Sequence, residues 1–249
     1  MNESGFHALT IVAPPRTIGE MVVEDYRKAE VFRKFGLDYC CGGKKSLEEA
    51  CQKKGLDPKA VQAELDAVNL ISADKQEDYD QWDLDALIGH ILVRHHQYVV
   101  GALPMLYELT EKVARVHGER HPELLAIARY FDAVAQELQM HMQKEEGILF
   151  PYITDMALAD RAELPMPVPA FGTIENPIRM MEAEHESAGN AMAEIRRLSH
   201  DFTPPEDACT SYRVLFAKLS EFEQDLHQHV HLENNILFPK AVSLEKGIF

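Results

Sequence analysis

The chain is short of cations, with 25 Lys and Arg against 41 Asp and Glu and a formal net charge of -16. That balance leaves no basic surface to track a phosphate backbone, so nucleic-acid binding is excluded. Cysteine is scarce too. Cys40, Cys41, Cys51 and Cys209 include no C-x-x-C pair, which excludes the usual structural zinc clip and argues against a disulfide framework. No segment approaches the roughly 20 apolar residues that span a bilayer, and Met1-Asn-Glu-Ser-Gly-Phe-His lacks a charged-then-apolar leader. These absences predict a cytoplasmic chain with neither nucleic acid nor membrane as partner.

One polar motif occurs twice. His141-Met-Gln-Lys-Glu145-Glu-Gly-Ile-Leu-Phe-Pro151 and His229-Val-His-Leu-Glu233-Asn-Asn-Ile-Leu-Phe-Pro239 share a register 88 positions apart. On a helix, residues i and i+4 lie nearly above one another, so each copy aims an imidazole and a carboxylate the same way. A single such pair is ordinarily a solvated surface pair. Here His185 precedes His229 by 44 residues, and a histidine at 95 or 96 precedes His141 by almost the same interval. Two helical hairpins would then bring four imidazoles and two carboxylates into the core of a four-helix bundle, where metal sites are built from facing side chains.

The rest of the chain fits an all-α fold of two parts. A lead-in ends at Pro14-Pro15, and a small helical domain is expected over 17–68. Thr17 to Glu20 and Ser46 to Glu49 read as capping boxes, Gly36 as a left-handed cap, and Asp57-Pro58 as a helix start. Between them stands Asp38-Tyr-Cys-Cys-Gly-Gly. Its thiols beside a helix N-terminus, Lys44 and Lys45 are either reactive or metal-ligating, or simply fill space at a turn. A polar linker follows over 69–82, with Trp82 packing at the entrance to the bundle, expected over 83–243. Its helices are read as Leu84 to His117 with a kink near Pro104, Pro122 to Ile153, Asn176-Pro177 to Ser199, and Ala208 to Phe238. Both Ile-Leu-Phe-Pro segments read as helix ends closed by proline.

Register selects His229 over its neighbours, because the first-copy equivalents of His227 and His231 are Gln139 and Gln143. Those two histidines sit about 160° around the helix from it and are expected on the solvated surface. Periodicity leaves His95 and His96 equal. His90 and Glu137, the latter four residues before His141, are candidates to orient the ligands from outside. Four imidazoles and two bridging carboxylates give each of two metals two nitrogens and two oxygens. This set suits six-coordinate iron or manganese with open positions, including a shared oxo or hydroxo bridge and room for O2 or NO.

Asp38-Tyr-Cys-Cys-Gly-Gly followed by His-x-x-x-Glu-Glu-x-Ile-Leu-Phe-Pro and His-x-x-x-Glu-Asn-Asn-x-Leu-Phe-Pro closely resembles the RIC family, the proteins of repair of iron centres. The resemblance covers nearly the whole chain after residue 17. It implies an up-down hemerythrin-like bundle holding a di-iron centre, with His96, His141, His185 and His229 as terminal ligands and Glu145 and Glu233 as bridges. It places Glu137 and Glu184 among acidic groups near the metals. It also implies a homodimer that restores iron-sulfur clusters damaged by oxidants or nitric oxide, acting as an iron donor more than as an enzyme. Its clients would be damaged iron-sulfur proteins, and Cys40 and Cys41 would serve iron transfer, redox chemistry or docking. The alternatives are a nitric oxide reductase and a reversible NO or O2 carrier at the same centre.

Overall fold

The computed structural model describes residues 16–69, 78–166 and 168–247. The lead-in before Arg16, most of the 69–82 linker and Pro167 lie outside the described residues. Four short helices come first: α1 (Ile18–Glu24), α2 (Lys28–Lys34), α3 (Leu47–Lys54) and α4 (Pro58–Asn69). Both capping boxes form, with Thr17 Oγ1 accepting from Glu20 N and Ser46 Oγ from Glu49 N at 3.2 Å each, while each glutamate reaches back to its cap nitrogen. Gly36 ends α2 at φ 64°, and Leu37 N donates to Phe32 O at 2.8 Å, closing the last turn.

Four long rods follow. The first joins α5 (Leu84–His90), a π-turn (Ile91–His96) and α6 (Gln97–His117), and it runs unbroken through Pro104. The second joins α7 (Glu123–Lys144), a π-turn (Glu145–Leu149) and α8 (Phe150–Arg161). The third is α9 (Glu175–Leu198), which starts one residue before Asn176, so Pro177 is its third residue rather than its first. The fourth joins α10 (Thr210–Leu232), a π-turn (Glu233–Leu237) and α11 (Phe238–Glu245). Helix α7 packs on α6 and α9, and α10 on the same two, which closes a four-helix bundle. The described residues contain no β-strand.

Neither Ile-Leu-Phe-Pro segment ends its helix. The N–H of Phe150 bonds back five residues to Glu145, and that of Phe238 to Glu233, so the helix widens just before each proline. A proline ring normally clashes with the carbonyl four residues earlier and lacks the N–H that would bond to it. The wide turn removes the conflict, and both helices continue.

Six polar side chains cut the core in two. On one side lie Val99, Leu138, Ala188 and Leu226, in an apolar cluster that continues into Ile18, Val22 and Phe32 of the N-terminal helices. On the other lie Ile91, Leu149, Met181 and Leu232. The N-terminal helices thus share their core with the bundle. Their contact is close: a Cβ on Gly43 would meet Tyr39 O at 2.4 Å and Asn235 Oδ1 at 2.7 Å. Gly43→Ala should cost about 1–3 kcal/mol, by the usual penalty of overpacking. The check is denaturant unfolding beside wild type; an unchanged midpoint would show that the loop gives way.

Candidate metal centre

His96 closes the first π-turn, Glu145 opens the second, Glu233 opens the third, and His141 and His229 lie one turn before their glutamates. His185 comes from the middle of the regular helix α9. All six are at most 2% exposed. Every Nε2 points inward. His141 Nε2 lies 3.2 Å from Glu145 Oε2 and 2.9 Å from His185 Nε2, and His96 Nε2 lies 3.4 Å from Glu145 Oε2. His185 and His229 Nε2 reach Glu233 at 3.1 and 3.0 Å.

These atoms form two groups compact enough to hold a metal ion, His96 with His229 and His141 with His185, and both groups contain Glu145 and Glu233. Several of the donor atoms are buried without a hydrogen-bond partner: both oxygens of Glu145, Glu233 Oε2 and His96 Nε2. Buried lone pairs and carboxylates are costly unless paired, so the donor set fits cations.

The electrostatics point the same way. Burial acts to raise Glu145, as does Glu233 facing it, yet His141 and His96 outweigh both and its pKa lies below the ordinary carboxylate value. Burial works against Glu233 too, but His229 and His185 hold it well below that value. Burial acts to lower His141, while Glu145, Glu233 and Glu184 drive it up to about 9. His96 is raised against burial by Glu145, Glu233 and Glu146, whereas burial dominates at His229 and lowers it. Two carboxylates remain ionised inside an apolar bundle.

The family profile described as the hemerythrin HHE cation-binding domain matches residues 87–241, and a domain of unknown function, DUF542, matches residues 15–69. An "Iron-sulfur cluster repair protein YtfE" of Yersinia pestis (strain Pestoides F) is 39% identical over 227 residues, 91% of this chain and 96% of the relative. The protein of the same name from Yersinia pseudotuberculosis serotype O:1b (strain IP 31758) is 38% identical over the same span. The chain belongs to the hemerythrin-type family of iron-sulfur cluster repair proteins.

In this member of the repair family, three of the four rings are braced from outside. His96 Nδ1 meets Glu146 Oε1 at 2.7 Å, His141 Nδ1 meets Glu184 Oε2 at 2.9 Å, and His185 Nδ1 meets Asn234 Oδ1 at 2.9 Å. Such contacts fix tautomer and ring orientation. Glu184 also pairs with Lys144. Glu146 and Asn234 are missing from the sequence reading, although they occupy the same repeat position, one residue after each glutamate. Glu137 does not join them. It is exposed and accepts from Ser187 Oγ at 3.0 Å, and no hydrogen bond ties it to the imidazoles. His90 packs on Tyr79, Trp82 and His95, and His95 in turn stacks on His229.

The expectation for His227 and His231 is also corrected. His231 is 1% exposed, with its ring against Tyr26 and Tyr39, and burial pushes its pKa down to about 3. His227 is half-buried against Tyr39 and is likewise lowered by burial. Tyr26, between α1 and α2, and Tyr39, in the cysteine loop, cover that face of α10.

The cysteine loop docks beside the centre. Asp38 Oδ1 accepts from the backbone N–H of Cys40 and Cys41 at 3.1 and 2.9 Å, and its Oδ2 from that of Gly42 at 2.9 Å. Asn234 Nδ2 donates to Cys40 O at 3.4 Å, so the side chain that braces His185 also touches the loop. Cys41 and Cys40 open on a cavity of about 280 Å3 shared with Lys44, Arg179, Glu182 and Asn234. The expected stabilisation of thiolates is absent at Cys40. Its hydrogen bond with Cys41, then burial, then Asp38 push its pKa well above the ordinary thiol value, and Lys44 is spent on Glu182 at 2.8 Å. Cys51 is fully buried, while Cys209 is exposed, with His117 Nε2 3.1 Å from its sulfur. Iodoacetamide on the folded metal-free chain should modify Cys209 first and Cys41 more slowly, sparing Cys40 and Cys51. Peptide mass mapping reads this directly, and early modification of Cys40 would contradict it.

Proposed function

We propose that the chain holds two iron ions, one between His96 and His229 and one between His141 and His185, with Glu145 and Glu233 bridging, and that it donates iron to iron-sulfur clusters damaged by oxidative or nitrosative stress. The observation that carries this reading is the pair of donor groups sharing both glutamates. Imidazole and carboxylate suit iron and leave coordination positions open. When bound, the irons would supply exchangeable metal and a site for NO or O2. A ligand set without thiolate yields iron more readily than a sulfur cage does. Repair is the role named for the Yersinia relatives.

The protein side of the reading is one of placement. The π-turns set the glutamates against the imidazoles, the apolar clusters above and below exclude water, and Asn234 links the His185 ring to the cysteine loop. Cys40 and Cys41 stand where a client could dock. Clients are iron-sulfur proteins that have lost metal. The test is to mix the 57Fe-loaded chain anaerobically with an apo-cluster protein, sulfide and thiol. Label should appear in the rebuilt cluster faster than from an equal amount of free iron held by a chelator. No transfer, together with many turnovers of nitrous oxide from NO and reductant, would overturn donation in favour of NO reduction.

A further inference from the structure

The two halves of the bundle correspond residue for residue: His96 to His185, His141 to His229, Glu145 to Glu233, and Glu146 to Asn234. The correspondence breaks at one position. Glu184, immediately before His185, accepts from His141 Nδ1, and its counterpart immediately before His96 is His95. An imidazole thus stands where symmetry calls for a carboxylate. His95 does not accept from His229. It lies stacked on that ring, centroids 5.5 Å apart and planes within 5°, and gives its Nδ1 to Asp225 Oδ1 at 3.0 Å. His229 Nδ1 is left buried without a hydrogen-bond partner.

We propose that the two metal positions are unequal, the one between His96 and His229 being exchangeable and the one between His141 and His185 being retained. This rests on the two-metal reading above. Outer acceptors hold a ligating imidazole in place and raise its basicity, and their removal typically weakens metal binding by roughly 10–100-fold. The His141 and His185 position has both acceptors, whereas the other has only Glu146. Glu146 itself is half-exposed, with 49% of its side chain open to water. Asp225 Oδ1 meets His95 Nδ1, and no hydrogen bond joins Asp225 to His229. A donor needs an ion that leaves without collapse of the site. With the position between His141 and His185 filled, Glu145 and Glu233 would still face a cation while the other position empties and refills. The cysteine loop borders the retained position, through Asn234 and His185.

Crystals grown with ferrous iron and soaked briefly in a ferrous chelator should show iron-edge anomalous density falling first between His96 and His229. Equal loss, or earlier loss at His141 and His185, overturns the proposal. No iron at either position before soaking would instead sink the two-metal reading itself. In solution, release to the chelator should be biphasic. Glu146→Gln should accelerate only the fast phase and Glu184→Gln only the slow one. His95→Gln, whose amide oxygen could accept from His229 while its NH2 serves Asp225, should slow the fast phase by roughly ten-fold. An unchanged fast phase in a variant that still binds two irons would show that the missing acceptor is not the cause.

Discussion

Glu233→Ala should abolish metal binding at both positions, while His141→Ala should spare the position formed by His96 and His229. Glu233 belongs to both donor groups and His141 to one, so the two losses differ in kind. The loss of affinity should exceed the roughly 10–100-fold that removal of an outer acceptor costs, because a direct ligand disappears. Glu233→Ala should also cost stability, because it removes one partner of the buried pairs that Glu233 makes with His229 and His185. The measurement is metal per chain by elemental analysis after gel filtration, with far-ultraviolet circular dichroism to confirm helicity. Retention of both irons by helical Glu233→Ala would remove it from the ligand set and dissolve the shared-bridge reading.

What the sequence made legible was periodicity and repetition. The helical spacing of apolar residues and the duplicated His-x-x-x-Glu placed the rods, and the six donors do converge. The capping boxes at Thr17 and Ser46 were equally readable, since each is a complete local interaction. The failures share a cause, because each depended on something beyond the local period. No propensity signals a π-turn, so in the sequence both prolines read as ends. Ile148 and Ile236 hold the same repeat position, yet the first is 54% exposed and the second 2%, because α1 packs against the π-turn that carries Ile236 and, among the described residues, no helix packs in the same way over Ile148. His231 is buried by tertiary contacts too, its ring meeting Tyr26 and Tyr39. Glu146 and Asn234 were recoverable by extending the repeat comparison one residue beyond the glutamates. Glu137, pointed to by its spacing from His141 and by the family resemblance, bonds Ser187 at the surface instead of an inner ring.

Metal removal should lower thermal stability, and the loss should grow with pH. An ion that binds only the folded chain adds RT ln(1 + [L]/Kd), so each position filled at roughly a hundred-fold above its dissociation constant contributes about 2.7 kcal/mol, or about 5 to 10 °C in a chain of this length. Without metal, the centre is held by imidazolium facing carboxylate. His141, raised from 6.5 to about 9, contributes stability that is full below its unfolded value and is lost as pH rises through about 9. Glu145 and Glu233, lowered from 4.5, contribute stability that is present above that value and is lost only as pH falls below it. Between about pH 6 and about pH 9 the carboxylates therefore change nothing, and the metal-free chain weakens as His141 deprotonates. A metal ion needs the same Nε2 bare, so loading expels that proton and the loaded chain escapes the penalty. The gap in melting temperature between loaded and chelated protein should accordingly widen over that interval, and loading in weak buffer near neutral pH should release acid. Calorimetry across pH with and without chelator measures the first and a pH electrode the second. A gap that narrows with rising pH would mean that the His141 proton is not what the metal displaces.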